Sequence, residues 1–489
     1  VEQNLDQKNV AGGAISTPAK TVRANQVPWK ERIAYAMSDF GCNTVFQILG
    51  TYFLVFCTDT LGVAAAATAG LFALTAIIDS VDGIFWGQLI DRTHTKWGKS
   101  RPYWLWFTIP FAIFCVMAFS APSFIMGSET AKIVWIYIAY IGAKVLYSAI
   151  NIPVTSILPA LTSNPKERVT LSTIRQFFGN FGSALFLPLT LPAVVFFGGL
   201  MGDGASGSKS AAGWTIWAVI LGIITIIAMF TAFFGTKERV VTRDSKRSVP
   251  MRESVKAIKG NYPWFIIIFI NFVFWGAFAI RSSALPYYFK YNLGQEALGS
   301  LTLLGTTLQL ATTALVPFFV GKIGKRNTMM IGMIGTIVSQ LLLFLSEQMG
   351  GNVPIILTAV VFFYLSQGLI GALIAVMLSD AVDFGEWKNG IRAEGFVTSF
   401  SSFSAKLGMG LGSMLLSAVL AMGHYIESTG ANVTSQPDTA LNAISLGFIW
   451  IPLIGYILSA IALYFNNLDK FEDQMASELD EKHARELSE

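Results

Sequence analysis

Charge is scarce in this chain. Asp, Glu, Lys and Arg make up 13% of its 489 residues, against about 25% in a soluble globular chain. Most of the length therefore avoids water. Histidine is scarcer: His94, His424 and His483 are the only three. None lies deep in an apolar segment, which excludes a histidine proton relay. The three cysteines, Cys42, Cys57 and Cys115, sit within or beside apolar segments, and are neither a disulfide framework nor a metal site. The chain has no H-E-x-x-H or G-x-S-x-G run, so no catalytic residues and no enzyme activity are expected. Residues 1–28 are polar and lack the apolar stretch of a signal peptide. They are expected to form a disordered tail.

What is abundant is apolar: 53% of the residues. They are gathered in runs long enough to cross ~30 Å of hydrocarbon at ~1.5 Å per residue. The ten-residue alternation of a membrane barrel does not appear. Twelve spans are predicted: 33–57, 66–90, 103–121, 131–160, 171–198, 213–236, 261–289, 297–321, 328–346, 353–378, 395–423 and 441–466. The fold class is therefore an all-α membrane protein.

Lys and Arg fall unevenly between these spans. One side carries Arg92, Lys96, Lys99 and Arg101, then Lys166 and Arg168, then the stretch from Lys237 to Lys259. It also carries Lys322, Lys325 and Arg326, then Lys388 and Arg392. The other side has only Lys132, Lys209 and Lys290. The positive-inside rule places the first set, and both termini, in the cytoplasm. The basic stretch 237–260 follows the sixth span, giving two six-helix halves, 29–236 and 261–466, with a cytoplasmic tail at 467–489. A net charge of +4 lies in these short loops and implies no nucleic-acid partner. Two halves of six helices resemble the major facilitator superfamily, whose halves rock around a midplane site.

Ionisable residues at membrane depth cost several kcal/mol (roughly 2.5–3.5 for Arg, Lys or Asp) and face a partner or a wet cavity. Here they are Asp39, Asp79, Asp82, Lys144, Arg175, Arg281 and Lys406. Asp79 and Asp82, at i and i+3, share a helix face. Their repulsion is relieved by a proton or a metal cation, or by basic partners that merely order the bundle. Lys406 calls for a carboxylate partner. Arg175 is either a gate charge or a sugar ligand. Lys144 is read as a snorkelling or structural charge. Asn43, Gln47, Tyr147, Ser148, Asn151 and Thr155 form polar stripes at helical spacing, which act as interhelical glue or line a cavity. Such neutral groups beside an aromatic ring suit a sugar.

Several stretches carry a more specific likeness: IIDSVDGIFWGQLIDRTHTKWGKSRPY at 77–103, TDTLG at 58–62, YSAINIPVTSILP at 147–159, RQFFGNFG at 175–182 and SDAVDFGEWKNGIRAEG at 379–395. Together they resemble the glycoside–pentoside–hexuronide:cation symporter family, the group of the melibiose permease. The wording is nearest to permeases for xylosides and related pentosides. By that resemblance Asp79 matches the first of two acidic cation ligands. The second falls at Gly83, and Asp82, one residue earlier, is its candidate substitute. Ser148 matches a hydroxyl near the cation. Asn43 and Asn151 match two galactoside-binding aspartates, so their neutrality implies a different glycoside. Arg175 matches a sugar-contacting arginine and Lys406 a lysine between sugar and cation. Ser402 joins the substrate-contacting candidates. Arg92, Asp380, Asp383, Glu386, Arg392 and Glu394 match a charged network that closes the cytoplasmic side.

The resulting expectation is sugar:cation symport by alternating access, with no cofactor beyond a co-transported H⁺. Na⁺ at Asp79 is the alternative ion. Sugar, coupling cation and lipid bilayer are the partners, and the cell (inner) membrane is the location. A lysolipid or drug carrier on the same fold is the first rival, since 38 phenylalanines suit an amphiphile path. A non-transporting receptor is the second, which the costly buried charges disfavour. Lys406 is expected to pair with Asp79, so that cation and sugar act on one charge pair.

Overall fold

The computed structural model describes residues 27–162, 165–202, 209–239, 256, 258–391, 394–427 and 435–468, and within the C-terminal tail 471, 474–475, 477–478 and 481. Residues 1–26 of the predicted tail, residues 240–255 and 257 of the basic linker, and Arg392 lie outside those residues, as does the side chain of Glu394.

Among the described residues, twelve helices are long and apolar enough to cross a membrane. They are α1 (Trp29–Val55), α2 (Ala65–Arg92), α3 (Arg101–Ala118), α4 (Glu129–Ser156), α5 (Pro165–Leu200), α6 (Ala211–Gly235) and α7 (Tyr262–Tyr287). Then follow α8 (Glu296–Ile323, through a tighter turn at Leu303–Gly305), α9 (Lys325–Gln348), α10 (Val353–Asn389), α11 (Glu394–Met422) and α12 (Asp438–Tyr464). Each predicted span corresponds to one of them. The largest departure is α10, which runs eleven residues beyond 378 to Asn389. The acidic stretch with Asp380, Asp383 and Glu386 is thus a helical extension rather than a loop. Its polarity hides it from an apolar-run criterion.

Helix starts follow local chemistry. The side chains of Ser128, Ser210, Asn261 and Asn352 accept from backbone N–H groups in the first turns of α4, α6, α7 and α10, satisfying donors that lack a helical partner. Pro102 and Pro263 occupy first-turn positions, where no N–H is needed.

α1 and α7, the first helices of the two halves, end alike. Each widens into one wide turn, Phe56–Thr60 and Tyr288–Asn292. Each then stops at Leu-Gly, with Gly62 at φ 66° and Gly294 at φ 65°, a backbone region glycine enters without steric cost. FCTDTLG and YFKYNLG are therefore one repeated device.

The halves meet chiefly where α2 packs on α11, α5 on α8 and α1 on α7. Gly410 of α11 lies against Ala76 of α2 so closely that a Cβ there would meet the Ala76 methyl. Nearer the weakly basic end, Thr68 bonds Ser417 at 3.3 Å. Within the second half, Gly408 and Gly412 (a G-x-x-x-G pair) bring α11 against the α7 backbone at Phe272 and Gly276, as small residues allow in membranes. This register puts Lys406, one turn below Gly410, beside Asp79 and Asp82, one to two turns below Ala76.

Candidate functional site

At the midplane a cavity of 190 Å³ opens between α1, α2, α4, α7 and α11. That is far above the ~10–15 Å³ one water requires. Gln47, Asp79, Lys144, Tyr147, Ser148, Asn151 and Lys406 line it.

Four charges meet here: Asp79, Lys144 and Lys406 on the cavity lining, and Asp82 paired with Lys406. The Lys144 ammonium lies 2.7 Å from Asp79 Oδ2. Lys406 donates to Asp82 Oδ1 at 3.1 Å and to Ser148 Oγ at 3.3 Å. It meets Asp79 only through that residue's backbone carbonyl, at 3.1 Å. The expected Lys406–Asp79 pair is thus corrected: α4 supplies the Asp79 partner, and Lys406 takes Asp82. Lys144 is not snorkelling either. It sits over the Phe46 ring at 4.4 Å, and Phe46 stacks on Tyr147 at 4.2 Å. The reason is geometric. Asp79 and Asp82, three residues apart on α2, diverge enough that one faces α4 and the other α11.

The Asp82 carboxylate keeps one oxygen, Oδ2, enclosed with no hydrogen-bond partner among the described residues. In so dry a place an unsatisfied carboxylate oxygen is costly.

Beside the cavity runs a relay. Arg175 lies 3.6 Å from Asp39, Asp39 accepts from Asn43 at 2.8 Å, and Asn43 accepts from Tyr147 at 3.3 Å. Asn43 and Arg175 therefore stand behind the wall, and Tyr147 joins them to the cavity. Gln47 borders it and makes no hydrogen bond among the described residues, so its amide is available to a ligand. Thr155 and Ser402 are exposed and away from the cavity; Thr155 bonds its own helix at Ile152. The polar stripe on α4 thus borders the cavity from Tyr147 to Asn151 and is exposed at Thr155.

Of the expected cytoplasmic network, Asp380 pairs with Lys325 at 2.9 Å, within one half. Glu386 is buried and Arg92 is exposed. Glu31 with Arg239 and Arg32 with Glu167 are likewise pairs inside one half. Among the described residues, bonds between the halves lie at the midplane or the opposite, weakly basic end.

That end holds a cluster sequence reasoning missed. Asp59, its side chain 0% exposed, accepts from Tyr425 at 2.6 Å and Tyr291 at 2.7 Å, and pairs with Lys290. Thr58 bonds Tyr287 at 2.8 Å. Every residue of 51–59 and of 283–289 is buried. The cavity is thus sealed at this end by the repeated ends of α1 and α7. Lys290 reads as a loop lysine by sequence. The repeat of TDTLG as KYNLG was the signal available.

Residues 34–470 match the family of MFS/sugar transport proteins. The chain is 49% identical over 473 residues to the isoprimeverose transporter of Lactiplantibacillus pentosus, covering 96% of this chain and 95% of that protein. It is 29% identical over 472 residues to the glucuronide carrier protein homolog of Escherichia coli, covering 93% and 99%. Among solved structures, a D-xylose-proton symporter superposes with a TM-score of 0.61 at 14% identity, covering 89% of this chain and 96% of that one. That likeness is one of fold.

Proposed function

Because this chain belongs to the family of MFS/sugar transport proteins, as a glycoside–pentoside–hexuronide:cation symporter, we propose that it takes up a disaccharide glycoside of the isoprimeverose kind together with protons. The observation that carries the reading is the pair of ion pairs, Lys144–Asp79 and Lys406–Asp82, which bring Asp79, Lys144 and Lys406 to the wall of a midplane cavity between the halves. A mere scaffold has little reason to keep four such costly groups there.

The physical cycle runs through those pairs. A proton on Asp79 or Asp82 removes the charge that holds its ammonium. The freed lysine then donates to a sugar oxygen in the same cavity. Sugar, by engaging the lysine, leaves the carboxylate readier for the proton. Each ligand favours the other, as linkage requires. Gln47, Asn151 and Tyr147 supply neutral hydrogen bonds, and Phe46, Tyr140 and Phe278 offer faces to the apolar side of the ring.

Protons rather than Na⁺ fit this wall. Na⁺ needs several free oxygens together, and two ammonium groups already occupy the carboxylates. Gly83 stands where the family resemblance expects a further one. The unpartnered Asp82 Oδ2 is a place for a proton.

The seal around Asp59 closes the outer face, so this conformation faces inward. The halves 29–236 and 261–466 rock about the midplane, joined by the basic linker 237–260, with both tails in the cytoplasm and the protein in the cell (inner) membrane. Asp380, Asp383, Glu386, Arg392, Glu394 and Arg92 close the inner face in the alternate state. Arg175 and Asn43 act through Tyr147, and Thr155 and Ser402 line the inward path.

The test is uptake of labelled isoprimeverose into energised vesicles, with and without Na⁺. A pH gradient alone should drive accumulation. Accumulation that ignores the pH gradient and vanishes without Na⁺ reassigns the ion, and no uptake of any glycoside in a panel overturns the proposal.

A further inference from the structure

A second cavity, of 120 Å³, lies between α1, α5, α7, α8 and α10. Gln47, Thr51, Phe278 and Ser282 line both it and the first. The crossing of α1 and α7 is thus the partition between two chambers of one site. We propose that this second chamber is the subsite for the second ring of a disaccharide, with Arg281 and Gln367 as its specificity-determining donors. The proposal rests on the reading of the first chamber as a sugar site.

Arg281 is the residue that most needs an explanation. It is 2% exposed and near mid-helix in an apolar segment, where an arginine costs roughly 2.5–3.5 kcal/mol on insertion scales. Every other ionised group lining the two chambers has an opposite charge beside it, whereas Arg281 has no carboxylate within ion-pair distance among the described residues. Its guanidinium carbon instead lies 3.5 Å from the Phe363 ring centre and 5.0 Å from that of Phe448. Two aromatic faces meet its charge in part.

Its orientation is fixed. Arg281 Nε donates to Gln340 Oε1 at 3.2 Å. Gln340 is itself held by donating to the carbonyls of Phe448 and Ile449, at 2.9 and 3.1 Å. Gln340 is therefore a positioning residue. The two terminal nitrogens of Arg281 donate to no described group, and the residue lines the chamber. Gln367 also lines the chamber, and its Nε2 is enclosed without an acceptor among the described residues. Two residues with unspent donors on the wall of one chamber call for a ligand rich in acceptor oxygens.

A neutral, hydroxylated ring supplies them. Asn180 and Gln309 add amides that both donate and accept, and Trp275 adds an aromatic wall. Asn180 belongs to RQFFGNFG, so the motif that supplies Arg175 behind the first chamber also supplies a wall of the second. Each chamber is ring-sized, and a glycosidic linkage would pass the crossing beside Gln47 and Ser282. A monosaccharide fills one chamber; a disaccharide fills both.

The experiment is calorimetric binding to the purified full chain of isoprimeverose, methyl xyloside and methyl glucoside, with wild type, Arg281→Lys and the near-isosteric Gln367→Leu. Wild type should bind the disaccharide more tightly than either monosaccharide. Both variants should weaken the disaccharide by about tenfold or more, as for loss of a charge-assisted or buried hydrogen bond, and leave the better monosaccharide unchanged. Unchanged monosaccharide binding also reports an intact fold. Equal losses for both sugar sizes, or no loss in Gln367→Leu, overturn the subsite. Failure of wild type to bind any of the three removes the first-chamber reading, and the subsite with it.

Discussion

Lys144 and Asp79 form a 2.7 Å ion pair on the cavity wall, joining α4 to α2 within one half of the protein. Lys406 and Asp82, at 3.1 Å, join α11 to α2 across the two halves. One helix thus carries two carboxylates that answer to different partners. In the proposed cycle, a proton arriving at one pair would loosen a wall inside a half, and at the other it would loosen the contact between halves.

The first pair predicts a strongly non-additive response. Lys144→Ala leaves Asp79 buried and uncompensated, costing about 3–5 kcal/mol. Lys144→Ala with Asp79→Asn removes the orphan charge and should be thermally more stable than Lys144→Ala alone. Melting temperatures of both proteins and Asp79→Asn check this. Strictly additive losses would mean that the two side chains do not act as a pair.

Sugar affinity should track the cavity lining, not the whole polar stripe. Asn151→Ala and Gln47→Ala each remove a hydrogen bond in a desolvated pocket, at ~1–3 kcal/mol, or roughly 5- to 150-fold in affinity. Thr155→Ala and Ser123→Ala, both at exposed positions, should bind as wild type does. Isothermal titration on the four proteins decides it. Equal affinities throughout would leave the α4 stripe as interhelical glue.

Asp59→Asn should unlatch the outer face. It keeps the shape but loses the charge that holds Lys290 and the hydroxyls of Tyr291 and Tyr425. The population should move toward the outward-open state. A single cysteine at Ser283, buried against Gly50 here, should then react faster with a membrane-impermeant thiol reagent applied from outside. An unchanged labelling rate would show that the cluster does not set the conformational balance.

The C-terminal tail offers a pH test outside the membrane. Hydrogen bonds from Gln474 and from Trp387 hold the Glu478 carboxyl below its usual range. A depressed value means the docking is present above the ordinary carboxylate range near ~4.3 and is lost as pH falls through it and lower. Trp387 fluorescence should shift in that window in wild type and not in Glu478→Gln. The same acid shift in Glu478→Gln would assign it to another group.

The twelve helices were legible because each apolar run is a direct statement about hydrocarbon thickness. So was the gathering of Asp79, Asp82, Ser148 and Lys406 in one place, since charge at that depth demands a partner. The pairing was not legible. Which lysine meets which aspartate depends on the divergence of two α2 side chains and on the Gly410–Ala76 register between halves, and both are tertiary facts. Asp59 escaped for a different reason. It sits at the end of an apolar run, where a carboxylate reads as solvated, and only the folding of α7 and Tyr425 over it makes it buried. Thr155 shows the converse, as helical spacing continues a stripe past the point where the cavity ends.

The most direct measurement is sugar-driven proton movement in reconstituted vesicles, for wild type and the double variant Asp79→Asn with Asp82→Asn side by side. Adding glycoside outside wild-type vesicles should alkalinise the medium as protons enter with the sugar. The double variant should give no alkalinisation and still exchange sugar across the membrane. Wild-type alkalinisation by the double variant would contradict the account, because the proton would then be travelling by a route that touches neither pair.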